Sequence, residues 1–392
     1  MTITLKAIVD KLPIEELRET IREHIKPMRK RMPDKRLCGV LEMIMLGILG
    51  GETPVISEMG RSNSKEEGES WAVAKRIYRF IWNKRVKTES LYEGLYEIGQ
   101  GVIAGEELEY LVVAVDPVNF EKPYAEDIAK VSVVHKATPP GVDGKARLAH
   151  GYPAITATVV NSKVPVTSYA KWFSYLSKDF LSQNCEIFQS FENTERLYRG
   201  WKIRYVCDAG LDDQKMFEKV QESNQEFVIR ACHLNRIVEV YNDRLDHWET
   251  EPLDALVNSV PYEAKFQVVF THAGKAHTDI VQIGWLKIRI PGTSDDLWAL
   301  VADDQTIKRQ LVLITNVPLL SVDIVQQVYN DWRLRTRIEH GYRFDQEQGL
   351  DVEDMRVHTL ERMQRIFALV LLELVKKLLR RFGGNGMAKS AE

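Results

Sequence analysis

Glu339 lies in the run WRLRTRIEHGYRFDQEQG (332–349), with Arg335 four residues before it and Tyr342 and Arg343 three and four residues after it. Residues at those spacings share one face of a helix. A carboxylate bracketed by guanidiniums and a ring can hold a hard cation while its neighbours grip a phosphate backbone. The same spacing describes a solvated Arg335–Glu339–Arg343 ion-pair ladder, and the segment alone leaves both readings open. Two further acids bear on the choice. Asp116 closes the apolar run LVVAVD before Pro117, and Asp208 closes IRYVCD before AGLDD. Apolar runs of this kind are strands buried on both faces, and catalytic groups in α/β sheets gather at the carboxyl ends of strands. An Asp at such a position also serves simply to make a turn. Phosphodiester cleavage and transfer would give the three acids a common purpose, since it is commonly done with two divalent ions about 3.5–4 Å apart. Magnesium takes oxygen ligands and fills its remaining positions with water and substrate phosphate, so two or three distant carboxylates suffice.

The elements that must position these residues follow from hydrophobic periodicity. Residues 1–108 read as helical, with apolar residues at helical spacing from Leu5 to Lys30 and a buried helix over GVLEMIMLGILGG that ends at a glycine pair. A helix restarting at Trp71 carries Lys75, Arg76, Arg79, Lys84, Arg85 and Lys87 with no acid among them. On it Tyr78, Ile81 and Trp82 are expected to pack inward while the cations face solvent or phosphates. Arg29, Lys30, Arg31, Lys35 and Arg36 form a second basic cluster. From Glu109 the pattern changes to short β-branched strands, with LVVAVD stopped by Pro117 and helices at 193–200 and over DDQKMFEKVQES. Residues 233–318 read as strands without helical periodicity, with Trp285 and Trp298 as core. Helix returns from Val322 through Glu339, and again from His358 to Phe382. The fold class is therefore α/β. Its organisation is a helical region 1–108, a core of 109–232 plus 319–382, a β-rich insertion 233–318 and a flexible tail 383–392.

Bulk properties narrow the class. With 392 residues the chain can build a large core, and 44% hydrophobic against 28% charged residues fits a globular protein rather than a disordered one. The net charge of −3 excludes a polycation but not a nucleic-acid binder, which needs its basic groups only on one face. The opening MTITLKAIVDKLPIEELRE has charges where a secretory signal needs an apolar core, and the run from Ile366 to Val375 is too short to span a membrane. Four dispersed cysteines without CxxC or Cys/His spacing point to a reducing compartment and to no structural zinc.

These residues together resemble the DDE transposases of bacterial insertion sequences, in the branch with a Tyr-Arg-Glu-Lys signature around the third acid. KRIYRFIWNKR is similar to that family's N-terminal DNA-binding region, LVVAVD to the strand of its first Asp, IRYVCDAGLDD to that of its second, and LRTRIEHGYRF to the helix of its Glu. In the signature Arg335 and Glu339 match, while Trp332 stands for the Tyr and Gln346 for the Lys. The resemblance implies an RNase H-like mixed-sheet core with the β-rich insertion before the final catalytic helix. It also implies catalysis by Asp116, Asp208 and Glu339 on two Mg2+ ions, with Mn2+ able to substitute. Arg335, Tyr342, Arg343, Gln346, Lys75, Arg76, Arg79, Lys84 and Arg85 would contact DNA. The implied partners are double-stranded terminal inverted repeats, target DNA and a second copy of the chain in a synaptic complex. The implied setting is the bacterial cytoplasm, at the nucleoid, with no membrane. The lost Lys leaves a catalytically inactive DNA-binding relic as the alternative.

Overall fold

The computed structural model describes residues 14–64, 68–122, 128–136, 147–242, 246–272, 275–293, 295–304, 309–338, 350 and 352–372. Six helices open it: α1 (Ile14–His24), α2 (Lys26–Lys30), α3 (Lys35–Gly51), α4 (Ile56–Ser62), α5 (Ser70–Trp82) and α6 (Thr88–Ala104). The Asp34 carboxylate starts α3 by accepting from the Arg36 and Leu37 N–H groups, and α3 stops after Gly51 where Glu52 turns left-handed at φ 50°. Gly94 lets α6 lie directly on α2, since a Cβ there would fall 2.5 Å from Met28 Cγ and 2.8 Å from its Cα. Among the described residues no single helix is long and apolar enough to cross a membrane.

The rest is a mixed α/β arrangement built on one large sheet. Its core strands are β1 (Leu111–Glu121), β2 (Ser132–His135), β3 (Leu148–Val159), β4 (Val166–Trp172), β5 (Ile203–Cys207) and β6 (Glu226–Arg230). Between β4 and β5 runs α7 (Gln183–Leu197), and between β5 and β6 runs α8 (Gln214–Glu222). β1 is central: β3 pairs with it antiparallel on one side and β5 parallel on the other, with β6 parallel to β5. β4 and β2 both pair with β3. Then follow β7 (Ile237–Asn242), β8 (His247–Pro252), α9 (Leu253–Ser259), β9 (Ala264–His272), β10 (Lys275–Arg289), β11 (Leu297–Asp304) and β12 (Arg309–Thr315). Because β12 pairs with β6, these strands extend the same 12-stranded sheet.

The alternation of β1 explains its burial on both sides. Leu111, Val113 and Val115 enter one apolar cluster, with α6, α7, α8 and α11 (Leu360–Val370), and Val112 and Ala114 enter the other. The second cluster is closed by α10 (Val322–Arg333) through Val325, Val328, Tyr329 and Trp332. Ser321 caps α10 by accepting from the Ile324 N–H. A buried charge network fixes α10 on the sheet. Arg204 of β5 contacts Asp331 at 2.5 Å and Glu226 at 2.8 Å, and Tyr110 donates to Asp331 at 2.8 Å. Burial opposes the Arg204 charge, but Glu226 and Asp331 outweigh it and hold its pKa above the ordinary value.

Several local expectations are corrected. β1 does not stop at Pro117 but continues to Glu121. The N–H and C=O groups of Leu111, Val113 and Val115 face β5, so position 117 faces that side too, and β5 has already ended abreast of Val115. The N–H that proline lacks would have had no ladder partner there. The helix expected at 193–200 is α7, which starts at Gln183 under a Ser182 cap, and α9 interrupts the strand-rich stretch. The helix from Val322 ends at Arg333, where Leu334 and Arg335 form a turn before helical backbone resumes at 336–338.

Replacing Asp331 with Ala leaves Arg204 and Tyr110 short of a buried partner. Urea unfolding should show a loss of about 3 kcal/mol, the range for breaking one side of a buried pair. An unchanged denaturation midpoint would contradict the network's anchoring role.

Candidate active site

The parallel register aligns Val115 of β1 with Cys207 of β5. Asp116 and Asp208 each follow that last pair, on neighbouring strands with backbones roughly 5 Å apart. Alternation puts both on the face of Val112, Ala114 and Val206, which is the face α10 covers. Asp116 is half-buried, and Asp208 is 36% exposed at its side chain. Asp208 is extended, with φ −84° and ψ 177°, and leads into a single 3-10 turn, Ala209–Leu211.

Two guanidiniums converge on Asp208. Arg335 Nη2 lies 4.0 Å from Oδ2, and Arg230 Nη1, from the end of β6, lies 3.6 Å from Oδ1. Arg335 is itself buried, with its guanidinium over the Trp332 ring at 5.6 Å. Trp332 donates its indole N–H to the Cys207 carbonyl at 3.1 Å, tying the end of α10 to the end of β5. The buried Cys207 thiol, on the opposite face of β5, also feels these charges. Burial pushes its pKa well up, the Asp116 carboxylate adds to the rise, Arg335 opposes it and Asp208 adds again. Asp116 and Asp208, at the ends of paired neighbouring strands, and Arg335 beside Asp208 therefore border one small volume.

That volume suits a hard cation. Asp208 Oδ1 is shielded from water and makes no hydrogen bond among the described residues, its contacts being ion pairs alone. The donors are carboxylate oxygens, the kind magnesium takes. A softer set, Asp212, Cys232 and His233, lies nearby with ligand atoms within 4.8 Å of one another. Its carboxylate is already committed: Asp212 Oδ2 accepts the Cys232 and His233 N–H groups at 2.8 and 3.0 Å, and Oδ1 pairs with Arg236 at 2.7 Å. Asp212 thus acts as a loop staple.

The remaining expected residues are dispersed or undescribed. Glu339, Tyr342, Arg343 and Gln346 lie outside the described residues. Lys75, Arg76 and Arg79 are exposed on α5, and Lys84 and Arg85 are exposed just beyond it, with Arg85 paired to Asp34 at 3.1 Å. Ile81 is buried as expected, but Tyr78 is only half-buried and Trp82 is 49% exposed. In the second basic cluster Arg31 pairs with Glu97 at 2.5 Å. Trp285 and Trp298 are half-buried against the α10 cluster. Arg230 is the site residue that sequence reading missed. Sequence shows only that it ends the strand EFVIR; the pairing of that strand with IRYVCD is what brings it to Asp208.

The two chain ends flanking 339–349 are pinned. Arg337 donates to the Val160, Ser162 and Lys163 carbonyls. Lys122, just past β1, donates to the Val352, Glu353 and Met355 carbonyls at 3.1, 2.5 and 3.4 Å. Ile338 belongs to the α10 cluster and Leu350 to the opposite one.

No protein-family model matches the chain, and no curated protein does. Among solved structures, a piggyBac transposase in a synaptic complex with hairpin DNA is similar at a TM-score of 0.42 and 7% identity, over 91% of this chain and 72% of that one. At that level the likeness decides neither fold nor chemistry.

Alkylation at mildly alkaline pH followed by peptide mass mapping should modify exposed Cys232 and leave Cys207 unmodified until the chain unfolds. Native-state labelling of Cys207 would mean that the β5 end is not packed as described.

Proposed function

We propose that the chain is a DNA transposase of the DDE type, with Asp116, Asp208 and Glu339 as its metal-holding carboxylates. The observation that carries this reading is the placement of Asp116 and Asp208 abreast on parallel neighbours, on one face, with Arg230 and Arg335 beside them. A central strand with antiparallel partners on one side and a parallel strand–helix–strand on the other supports an RNase H-like core. Glu339 follows Ile338, which packs in the cluster on the acids' face, so chain order supports it as the third ligand. Two Mg2+ ions held by these acids would activate the attacking oxygen and stabilise the leaving oxygen.

The chain's own groups have distinct work in this reading. Asp116 and Asp208 orient the reacting phosphate by fixing where positive charge collects. Arg335 and Arg230 neutralise Asp208 until DNA arrives and then offer planar guanidinium forks to phosphate oxygens. Tyr342, Arg343 and Gln346 would continue that contact. The helical region 1–108 would bind terminal inverted repeats through Lys75, Arg76, Arg79, Lys84 and Arg85, with 109–232 plus 319–382 as catalytic core and 233–318 as insertion. Two copies would meet on the DNA, at the bacterial nucleoid, to join freed 3′ ends to target DNA. Gln346, where the family signature has Lys, favours a second reading as a catalytically inactive DNA-binding relic.

The test is Mg2+-dependent nicking of labelled duplex that carries the element's end. Asp116→Asn, Asp208→Asn and Glu339→Gln should each reduce nicking to background while end binding stays within about twofold, because binding rests on phosphate contacts elsewhere. Retained cleavage in all three variants would remove the catalytic assignment, and no cleavage by the unmodified chain would favour the relic.

A further inference from the structure

The outer face of α5 carries an arrangement that duplex binding does not require. Trp71, Lys75, Tyr78, Arg79 and Trp82 recur at helical spacing along one stripe, beside the buried Ala74, Ile77 and Ile81. Trp71 is 56% exposed and Trp82 49%, unusual for the largest apolar side chain, while Tyr78 between them packs in part against the larger apolar cluster. The rings form a ladder, with centroids 6.5 Å apart from Trp71 to Tyr78 and 5.3 Å from Tyr78 to Trp82. Cations border it: Lys75 lies 5.3 Å from the Trp71 ring and Arg362 of α11 4.9 Å from the Trp82 ring.

Charge identifies the occupant. From Ser70 to Lys87 the sequence contains no acid. Arg76, Arg79, Lys84 and Lys87 make no ion pair among the described residues, whereas Arg22, Arg61 and Arg196 on other helices each pair with a glutamate. A stripe of half-exposed rings edged by uncompensated cations complements a ligand that offers flat π-faces along a polyanion. Single-stranded DNA has both, and its bases are free to stack, while a duplex hides its base faces.

We propose that the Trp71–Tyr78–Trp82 face, with Lys75, Arg79 and Arg362 around it, is a stacking platform for unpaired bases of single-stranded DNA. The proposal rests on the nucleic-acid part of the reading above and is independent of the acidic centre. Stacked bases lie on the rings, and the arginines meet the phosphates on either side.

The experiment titrates the full chain with fluorescently labelled oligo(dT) of about 20 nucleotides and with a blunt duplex of equal length, following anisotropy and tryptophan quenching. Combined Trp71→Ala and Trp82→Ala should weaken oligo(dT) binding about tenfold or more and leave duplex binding within about twofold. The Trp→Phe pair should restore most of the loss, since a ring is retained. Lys75→Ala with Arg79→Ala should weaken both ligands and flatten the salt dependence. Because both tryptophans are half-exposed, the melting temperature of the Ala pair should stay near that of the parent. Equal loss for both DNAs on removing the rings would overturn the proposal, as would undiminished oligo(dT) binding. Quenching by anionic phosphatidylserine vesicles but not by oligo(dT) would overturn it too. Loss of nicking in the acid variants with intact oligo(dT) binding would leave this platform standing, so the two readings fail separately.

Discussion

The parallel register between β1 and β5 is the constraint on which the proposed centre depends. With Val115 abreast of Cys207, the next residue on each strand is an aspartate, and both point toward α10. A slip of one residue would send one carboxylate to the opposite face, among the apolar side chains of the larger cluster. The register is held from both faces, by Val113 and Tyr205 on one and Ala114 and Val206 on the other. The apolar interior therefore decides where the polar chemistry can occur.

Two neighbouring carboxylates in a partly shielded place repel one another unless cations accompany them. Arg335 and Arg230 supply that compensation from α10's end and from β6, two elements that meet Asp208 from different directions. Arg335 can serve because Trp332 locks the helix end to the Cys207 carbonyl, and because Arg204 holds Asp331, the residue just before Trp332, to β5. Buried guanidiniums without such partners would be costly. Here each one is placed where an acid or a ring receives it.

Much of this was legible in the sequence, for identifiable reasons. LVVAVD and IRYVCD read as buried strands because every residue before the acid is compatible with a doubly covered sheet. DDQKMFEKVQES read as a helix because Asp213 caps it and Met216, Phe217 and Val220 fall on one side. The failures came where tertiary context overrides a local signal. Pro117 looks like a stop, but its missing N–H faces a place where the neighbouring strand has ended. The break after Arg333 leaves no trace in periodicity, since Trp332 and Ile338 remain in one cluster across it. The ring of Trp82 favours an inward position, but the buried side of α5 is already filled by Ala74, Ile77, Phe80 and Ile81. Strand adjacency, which no local pattern encodes, is what brings Arg230 to Asp208.

Arg337 spends its guanidinium on three backbone carbonyls of residues 160–163, the connection between β3 and β4, where Val160 and Ser162 are buried and Lys163 is exposed. Connections of that kind ordinarily tolerate changes in length. This one does not have that freedom. It is a socket whose oxygens must keep their spacing, so lengthening the hairpin by even one residue would unseat Arg337 and, from a distance, detune the proposed centre.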